Sequence, residues 1–115
     1  MALDTQGGPN WALNYVDSPV IVNATSAEYY KQPIFYALGH FSKFLVPGSI
    51  RIEGEEVKGE KVNVTLTLFE RPDLSLVLTV LNKRNDSVSL EIQDPMNGVL
   101  KVVVEPNSLK SIIWY

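Results

Sequence analysis

Between Val62 and Leu68 the chain alternates strictly: Val62, Val64, Leu66 and Leu68 fall on one side of a period of two, and Asn63, Thr65 and Thr67 on the other. Successive side chains of a strand point to opposite faces, so the pattern predicts a half-buried strand. Four further runs follow. Leu74–Leu81 lies beyond the turn Arg71-Pro72-Asp73, Val88–Ile92 beyond Lys83-Arg84-Asn85-Asp86, Val99–Val104 beyond Asp94-Pro95-Met96-Asn97-Gly98, and Ser111–Tyr115 closes the series. Turn signals at roughly ten-residue intervals between short strands predict an antiparallel sandwich or open barrel.

Upstream of Gly48 the period is helical. Ile34, Leu38, Phe41 and Leu45 recur at spacings that place them on one face, Phe35 and Phe44 widen the stripe, and Pro33 stands where a first helical residue tolerates proline. This predicts a helix from Pro33 to about Leu45, stopped by Val46-Pro47-Gly48. Gly39 inside it costs about 1 kcal/mol relative to Ala, which predicts close approach of another backbone. Before the helix, Ala2–Thr25 is rich in Gly, Pro, Asn and Asp around Val20-Ile21-Val22, reading as an irregular loop followed by one strand. Ser26 is the expected N-cap of a short turn through Tyr29 and Tyr30. The charged stretch Glu53–Lys61, with Glu55, Glu56, Lys58 and Glu60, reads as a solvated excursion. The fold class is therefore mainly β with one helix.

Size changes this picture. The chain has 115 residues, 45% of them hydrophobic, enough for one modest core but less than half of the roughly 250 residues of a (β/α)8 barrel. Thirteen acidic and ten basic residues are dispersed, and no basic stripe offers a nucleic-acid surface. Cysteine is absent, so disulfides and thiol chemistry are excluded. Met1–Gln6 has no charged or apolar leader pattern, and no run approaches the roughly 18 apolar residues of a membrane span. Acceptor tripeptides for N-glycosylation start at Asn23, Asn63 and Asn85; Asn85, in a turn, is the one most clearly placed on the surface.

Candidate chemistry is sparse. Asp17 before Ser18-Pro19 and Asp94 before Pro95 read as turn formers, and Glu55 and Glu56 have no flanking strand to hold them rigid. His40, the only histidine, has no nucleophile or acidic orienter placed beside it. No catalytic residue, metal site or cofactor is expected within the chain. Gly7-Gly8-Pro9 is a backbone device, since a phosphate loop would need a strand before it and a Lys after it.

The order of motifs says more. Gly7-Gly8-Pro9-Asn10-Trp11, Asn14, Val16-Asp17-Ser18-Pro19, Tyr30-Lys31-Gln32-Pro33 and Leu38-Gly39-His40-Phe41-Ser42-Lys43-Phe44 follow one another as in the C-terminal region of the glucosylceramidases, the acid β-glucosidases of glycoside hydrolase family 30, which this chain resembles. The likeness is dense from Gly7 to Ser49. It is looser beyond, where Val80-Leu81-Asn82, Ile92, Asp94-Pro95 and Trp114 keep the pattern.

The resemblance implies two parts: residues 1–48, closing the catalytic barrel with an active-site loop, a strand of a small antiparallel sheet and the last barrel helix, and residues 49–115, a β-sandwich. It implies a retaining β-glucosidase acting on glucosylceramide in sphingolipid catabolism, with both catalytic glutamates upstream and the chain inactive alone. It implies a lysosomal setting, a saposin-type activator and a lysosomal membrane surface as partners, and strand edges and a helix face left uncovered without the N-terminal portion. Asn14 matches an asparagine at the active-site mouth, where an amide both donates to and accepts from sugar hydroxyls. Trp11 and Tyr15 lie beside it, each either lining the mouth with an aromatic face or anchoring the loop by burial. The alternative is a non-catalytic β-sandwich binding carbohydrate, lipid or protein.

Overall fold

The structure, a computed structural model, describes residues 2–53 and 64–115. The excursion carrying Glu55, Glu56, Lys58, Glu60 and Lys61, together with Val62 and the Asn63 acceptor, lies outside the described residues. The chain forms two compact units, Met1–Phe41 and Ser42–Tyr115.

The first unit contains a three-stranded sheet of β1 (Ala2–Asp4), β2 (Val20–Asn23) and β3 (Glu28–Lys31) in that spatial order. The Val20-Ile21-Val22 strand forms as expected, but two neighbours add to it. β1 pairs with β2 in parallel, Leu3 opposite Ile21, so the sheet is mixed rather than antiparallel. β3 replaces the expected turn through Tyr29 and Tyr30, with Tyr30 opposite Ile21 and Tyr29 opposite Val22. Aromatic side chains fit a pleated surface, and the reversal is made earlier, by residues 24–27. There Asn23 accepts from the Ser26 amide at 3.4 Å and donates to its hydroxyl at 3.3 Å, so Ser26 serves the hairpin and not a helix cap.

The helix α1 runs Pro33–Ser42, starting at the proline and ending short of Leu45, with residues 43–45 in turn and bend conformation. No α1 side chain is buried: Ile34 and Leu38 are half exposed and Phe41 is 40% exposed. The apolar stripe that the sequence predicts is therefore present and bare. Within this chain a Cβ at Gly39 would meet nothing within 4 Å, and the backbone expected to approach it is that of a barrel wall.

The second unit holds the remaining strands: β4 (Ile50–Ile52), β5 (Val64–Glu70), β6 (Leu76–Asn82), β7 (Val88–Asp94), β8 (Gly98–Val104) and β9 (Ser108–Trp114). Among the described residues its pairings are all antiparallel, in a sheet β4-β5-β6-β9 and a hairpin β7-β8. Leu78 and Val80 of β6 meet Val88, Leu90 and Val104 of the hairpin in one cluster, flanked by Val64, Leu66, Leu68, Ile112 and Trp114. The even-numbered β5 residues thus face the core, as their alternation demands. β6 reads instead as a near-continuous apolar run because it is covered on both faces: Val77 and Thr79 are as buried as Leu78 and Val80. The short β4 was not expected; three residues are too few for periodicity to register.

Asn82, at the end of β6, is one of the fully buried polar residues of this unit. Its Nδ2 donates to the carbonyls of Asp86, Val104 and Glu105 at 3.0, 3.3 and 2.8 Å, and its Oδ1 accepts from the Arg84 amide at 3.0 Å. One buried amide therefore joins the β6–β7 turn to the β8–β9 turn. A buried polar side chain is tolerated only when satisfied in this way.

Candidate functional site

The loop Gly7–Ser18, which leaves β1 and returns into β2, carries every residue proposed for substrate contact. It is fastened at its base by Asp4. One carboxylate oxygen, Oδ1, accepts from the amides of Gln6 and Gly8, each at 2.8 Å, and the Asp4 amide donates to the Gly8 carbonyl at 2.8 Å. These bonds favour the ionised carboxylate, so its pKa is lowered from 3.8, with the Gly8 contribution the larger.

Both glycines are required here. Gly7 has φ +79°, open to glycine at no steric cost, and its Cα face lies against Tyr15, where a Cβ would sit 3.5 Å from the ring. At Gly8 a Cβ would stand 2.8 Å from the Asp4 Oδ2, inside contact distance. The Gly8–Pro9 peptide is cis. The glycine pair therefore brings the two ends of the loop together.

A second fastening lies farther out. Asn10 accepts the Asn14 amide on Oδ1 at 3.0 Å, and its carbonyl accepts the Leu13 amide at 3.5 Å, with Leu13 at φ +53°. The segment turns back on itself and places Asn14 at the bend. At the exit Asp17 accepts the Ser18 amide at 2.8 Å, consistent with turn service, and Ser18 is buried.

The side chains at the tip face solvent. Trp11 is fully exposed and Tyr15 is 70% exposed, with Leu13 and Val16 also open. Among the described residues no side chain covers the Trp11 ring. Asn14 is exposed, and among the described residues no hydrogen bond holds its side-chain amide. The arrangement offers one free amide and two aromatic faces on a stiffened loop, which suits sugar hydroxyls and apolar ring faces. Among the described residues no three His, Asp or Glu side chains are grouped to hold a metal ion. His40 lies in the last turn of α1.

Asp4 and Asn10 were not singled out from the sequence. The available signal was an Asp four residues before Gly8 and an Asn four before Asn14, spacings at which these side chains reach local amides. The glycosylation candidates differ in setting. Asn85 is exposed and accepts from Asn107 Nδ2 at 3.1 Å, whereas the Asn23 amide is engaged with Ser26.

Comparison with known proteins assigns the class. Residues 1–45 match the glycosyl hydrolase family 30 TIM-barrel domain and residues 48–112 the glycosyl hydrolase family 30 beta sandwich domain. The chain belongs to glycosyl hydrolase family 30. It is 44% identical over 114 residues to lysosomal acid glucosylceramidase of Mus musculus, covering 99% of this chain and 22% of that protein. It is also 44% identical over 115 residues to putative glucosylceramidase 3 of Caenorhabditis elegans, with the same coverage. The chain thus spans about a fifth of the length of the curated relatives it matches. Two solved structures share the fold. SrfJ from Salmonella typhimurium superposes with a TM-score of 0.87 at 21% identity, over 98% of this chain and 24% of that one. The endo-β1,6-glucanase BT3312 superposes at 0.85 and 22% identity, over 98% and 25%.

Proposed function

We propose that this chain is the C-terminal part of a glucosylceramidase, a retaining β-glucosidase that releases glucose from glucosylceramide. The observation that carries the reading is the 44% identity with lysosomal acid glucosylceramidase, which runs through both the loop-and-helix segment and the sandwich. On this reading residues 1–48 close the barrel and residues 49–115 form the sandwich beside it.

A retaining glycosidase needs an acid/base and a nucleophilic carboxyl about 5–5.5 Å apart. The acidic groups of the loop do not form such a pair: Asp4 and Asp17 are spent on backbone amides of the turn. Both catalytic carboxylates belong, on this reading, to upstream barrel strands, and the chain alone is inactive. Its contribution is to the pocket. The Asn14 amide donates to and accepts from glucosyl hydroxyls, and Trp11 and Tyr15 present ring faces to the sugar or to lipid chains at the mouth. A lysosomal setting and a saposin-type activator at an anionic membrane belong to the same proposal. No helix among the described residues is long and apolar enough to cross a membrane.

The test is hydrolysis of a fluorogenic β-glucoside at acidic pH, by the chain alone and after co-expression with the N-terminal portion of such an enzyme. Activity only on complementation is expected. Activity of the lone chain overturns the placement of the carboxylates. A folded, inactive monomer that gains nothing from complementation favours the binding-module alternative.

A further inference from the structure

We infer that Asn85 carries an N-linked oligosaccharide, which leaves the sandwich at the turn between β6 and β7 and keeps that turn open to solvent in the full-length enzyme. The inference rests on the proposed lysosomal setting, because such sugar chains are added in the secretory lumen, and goes beyond it in choosing the site.

The tripeptide Asn85-Asp86-Ser87 has the acceptor pattern, with no proline in the middle. The pattern alone does not separate it from the tripeptide at Asn23; its setting does. All three of its residues are exposed. Asn85 Oδ1 accepts from Asn107 Nδ2 at 3.1 Å, and the Asn107 backbone amide donates to the Arg84 carbonyl at 3.0 Å, so the β8–β9 turn holds this one through two bonds. The side-chain nitrogen of Asn107 can only donate, so the oxygen of Asn85 faces Asn107 and its nitrogen faces away. Among the described residues no hydrogen bond engages that nitrogen. The carboxylate next to it does not compete, because Asp86 accepts from Arg84 Nε and Nη2 at 2.9 and 2.7 Å. Asn23 differs on each count: it is half-buried, and its Nδ2 donates to the Ser26 hydroxyl at 3.3 Å.

The transfer forms a bond from Asn85 Nδ2 to C1 of the sugar chain. The bond from C1 to a phosphate oxygen of a lipid-diphosphate donor breaks, the lipid diphosphate leaves, and one amide proton is released. The modified amide retains its oxygen and one N–H, so the bond from Asn107 survives and the sugar projects from a fixed turn. A bulky, hydrophilic chain at this point requires solvent around it, which bars the β6–β7 turn from an interface with the rest of the enzyme.

The test uses the full-length enzyme expressed in eukaryotic secretory cells. Peptide N-glycosidase in 18O-water converts a sugar-bearing Asn to labelled Asp, and peptide mass spectrometry reads the label. Label at Asn85 in most molecules is expected, and Asn85→Gln should lower the mass of the intact enzyme by one sugar chain. Ser87→Ala should do the same while keeping Asn85 and its bond to Asn107, and it replaces Asn85→Gln where that variant fails to fold. An unlabelled Asn85, or a mass unchanged in Ser87→Ala, overturns the inference. Hydrolysis of a β-glucoside by the same preparation shows separately whether the glucosidase reading stands: an active enzyme with bare Asn85 refutes the glycan alone, and an inactive one bearing the glycan refutes the glucosidase reading alone.

Discussion

The indole Nε1–H of Trp114 donates to Asp94 Oδ2 across 2.7 Å, joining the last strand of the sandwich to the turn between β7 and β8. The same carboxylate accepts from the side chain of Asn97 at 3.1 Å and from the amides of Met96 and Asn97. Four donors on one carboxylate favour its charged form, and the Asp94 pKa is lowered from 3.8 to about 2, Trp114 contributing most. The carboxylate is thus occupied in holding the turn. Its Asp-Pro sequence announced a turn, but nothing in the sequence joined it to Trp114.

The pH dependence follows from the sign of this shift. A group whose pKa is depressed on folding contributes stability that is present above its ordinary value and lost as pH falls through its folded value. For Asp94 the window runs from 3.8 down to about 2, and Asp4, Asp73, Asp86 and Glu105 are shifted in the same direction. The sandwich should therefore keep its stability at moderately acidic pH and lose it below about pH 4. Trp114→Phe should raise the Asp94 pKa toward 3.8, measured by NMR titration of the carboxyl carbon. An unmoved titration would remove Trp114 as the principal cause.

Asn82 should be among the costliest polar positions to truncate. Asn82→Ala would orphan the Arg84 amide and deprive three carbonyls of their donor, at a cost of roughly 2–4 kcal/mol. Chemical denaturation of the full-length enzyme measures it, with a lowered midpoint expected. A loss below about 0.5 kcal/mol would mean that water replaces the amide.

Core and surface valines should separate cleanly. Val80 has no exposed surface, and Val80→Ala should cost about 2 kcal/mol through lost burial and the cavity left behind. Val99 is 59% exposed, and Val99→Ala should stay within about 0.5 kcal/mol. The same denaturation series decides both.

The base of the loop should be intolerant of a single methyl. Gly8→Ala drives a Cβ toward the Asp4 carboxylate, which must then release the Gln6 and Gly8 amides or shift the loop. In the full-length enzyme kcat/KM should fall by about 10- to 100-fold with little change in global stability. Unchanged catalysis would separate the loop geometry from substrate binding.

The isolated chain should behave as an incomplete structure. The α1 face of Ile34, Leu38 and Phe41 is bare, and unpaired strand edges and apolar surface promote association. Size-exclusion chromatography and thermal melting should show aggregation or a broad transition that sharpens when the N-terminal portion is co-expressed. A cooperative melt of a monomer would contradict this.

The long strands were legible in the sequence because each presents enough residues for its period to show. The alternation from Val64 to Leu68, the apolar run of β6 and the turns after Glu70, Asn82 and Asp94 are all local signals. So was Pro33 as the start of α1. β1 and β4, three residues each, carry no usable period, and Tyr29 and Tyr30 became a strand only because β2 lay beside them to be paired.

The sequence by itself determined the mainly β class, the single helix and the order of motifs that marks the family, since propensity, period and motif order all reside in neighbouring residues. Tertiary structure alone decided that Asp94 closes on Trp114, that Asn82 ties two turns together, that Asp4 and Asn10 shape the loop holding Asn14, and that Trp11 stands free of it. Those outcomes depend on the distance and direction between atoms brought together by folding, and the residue types alone do not specify them.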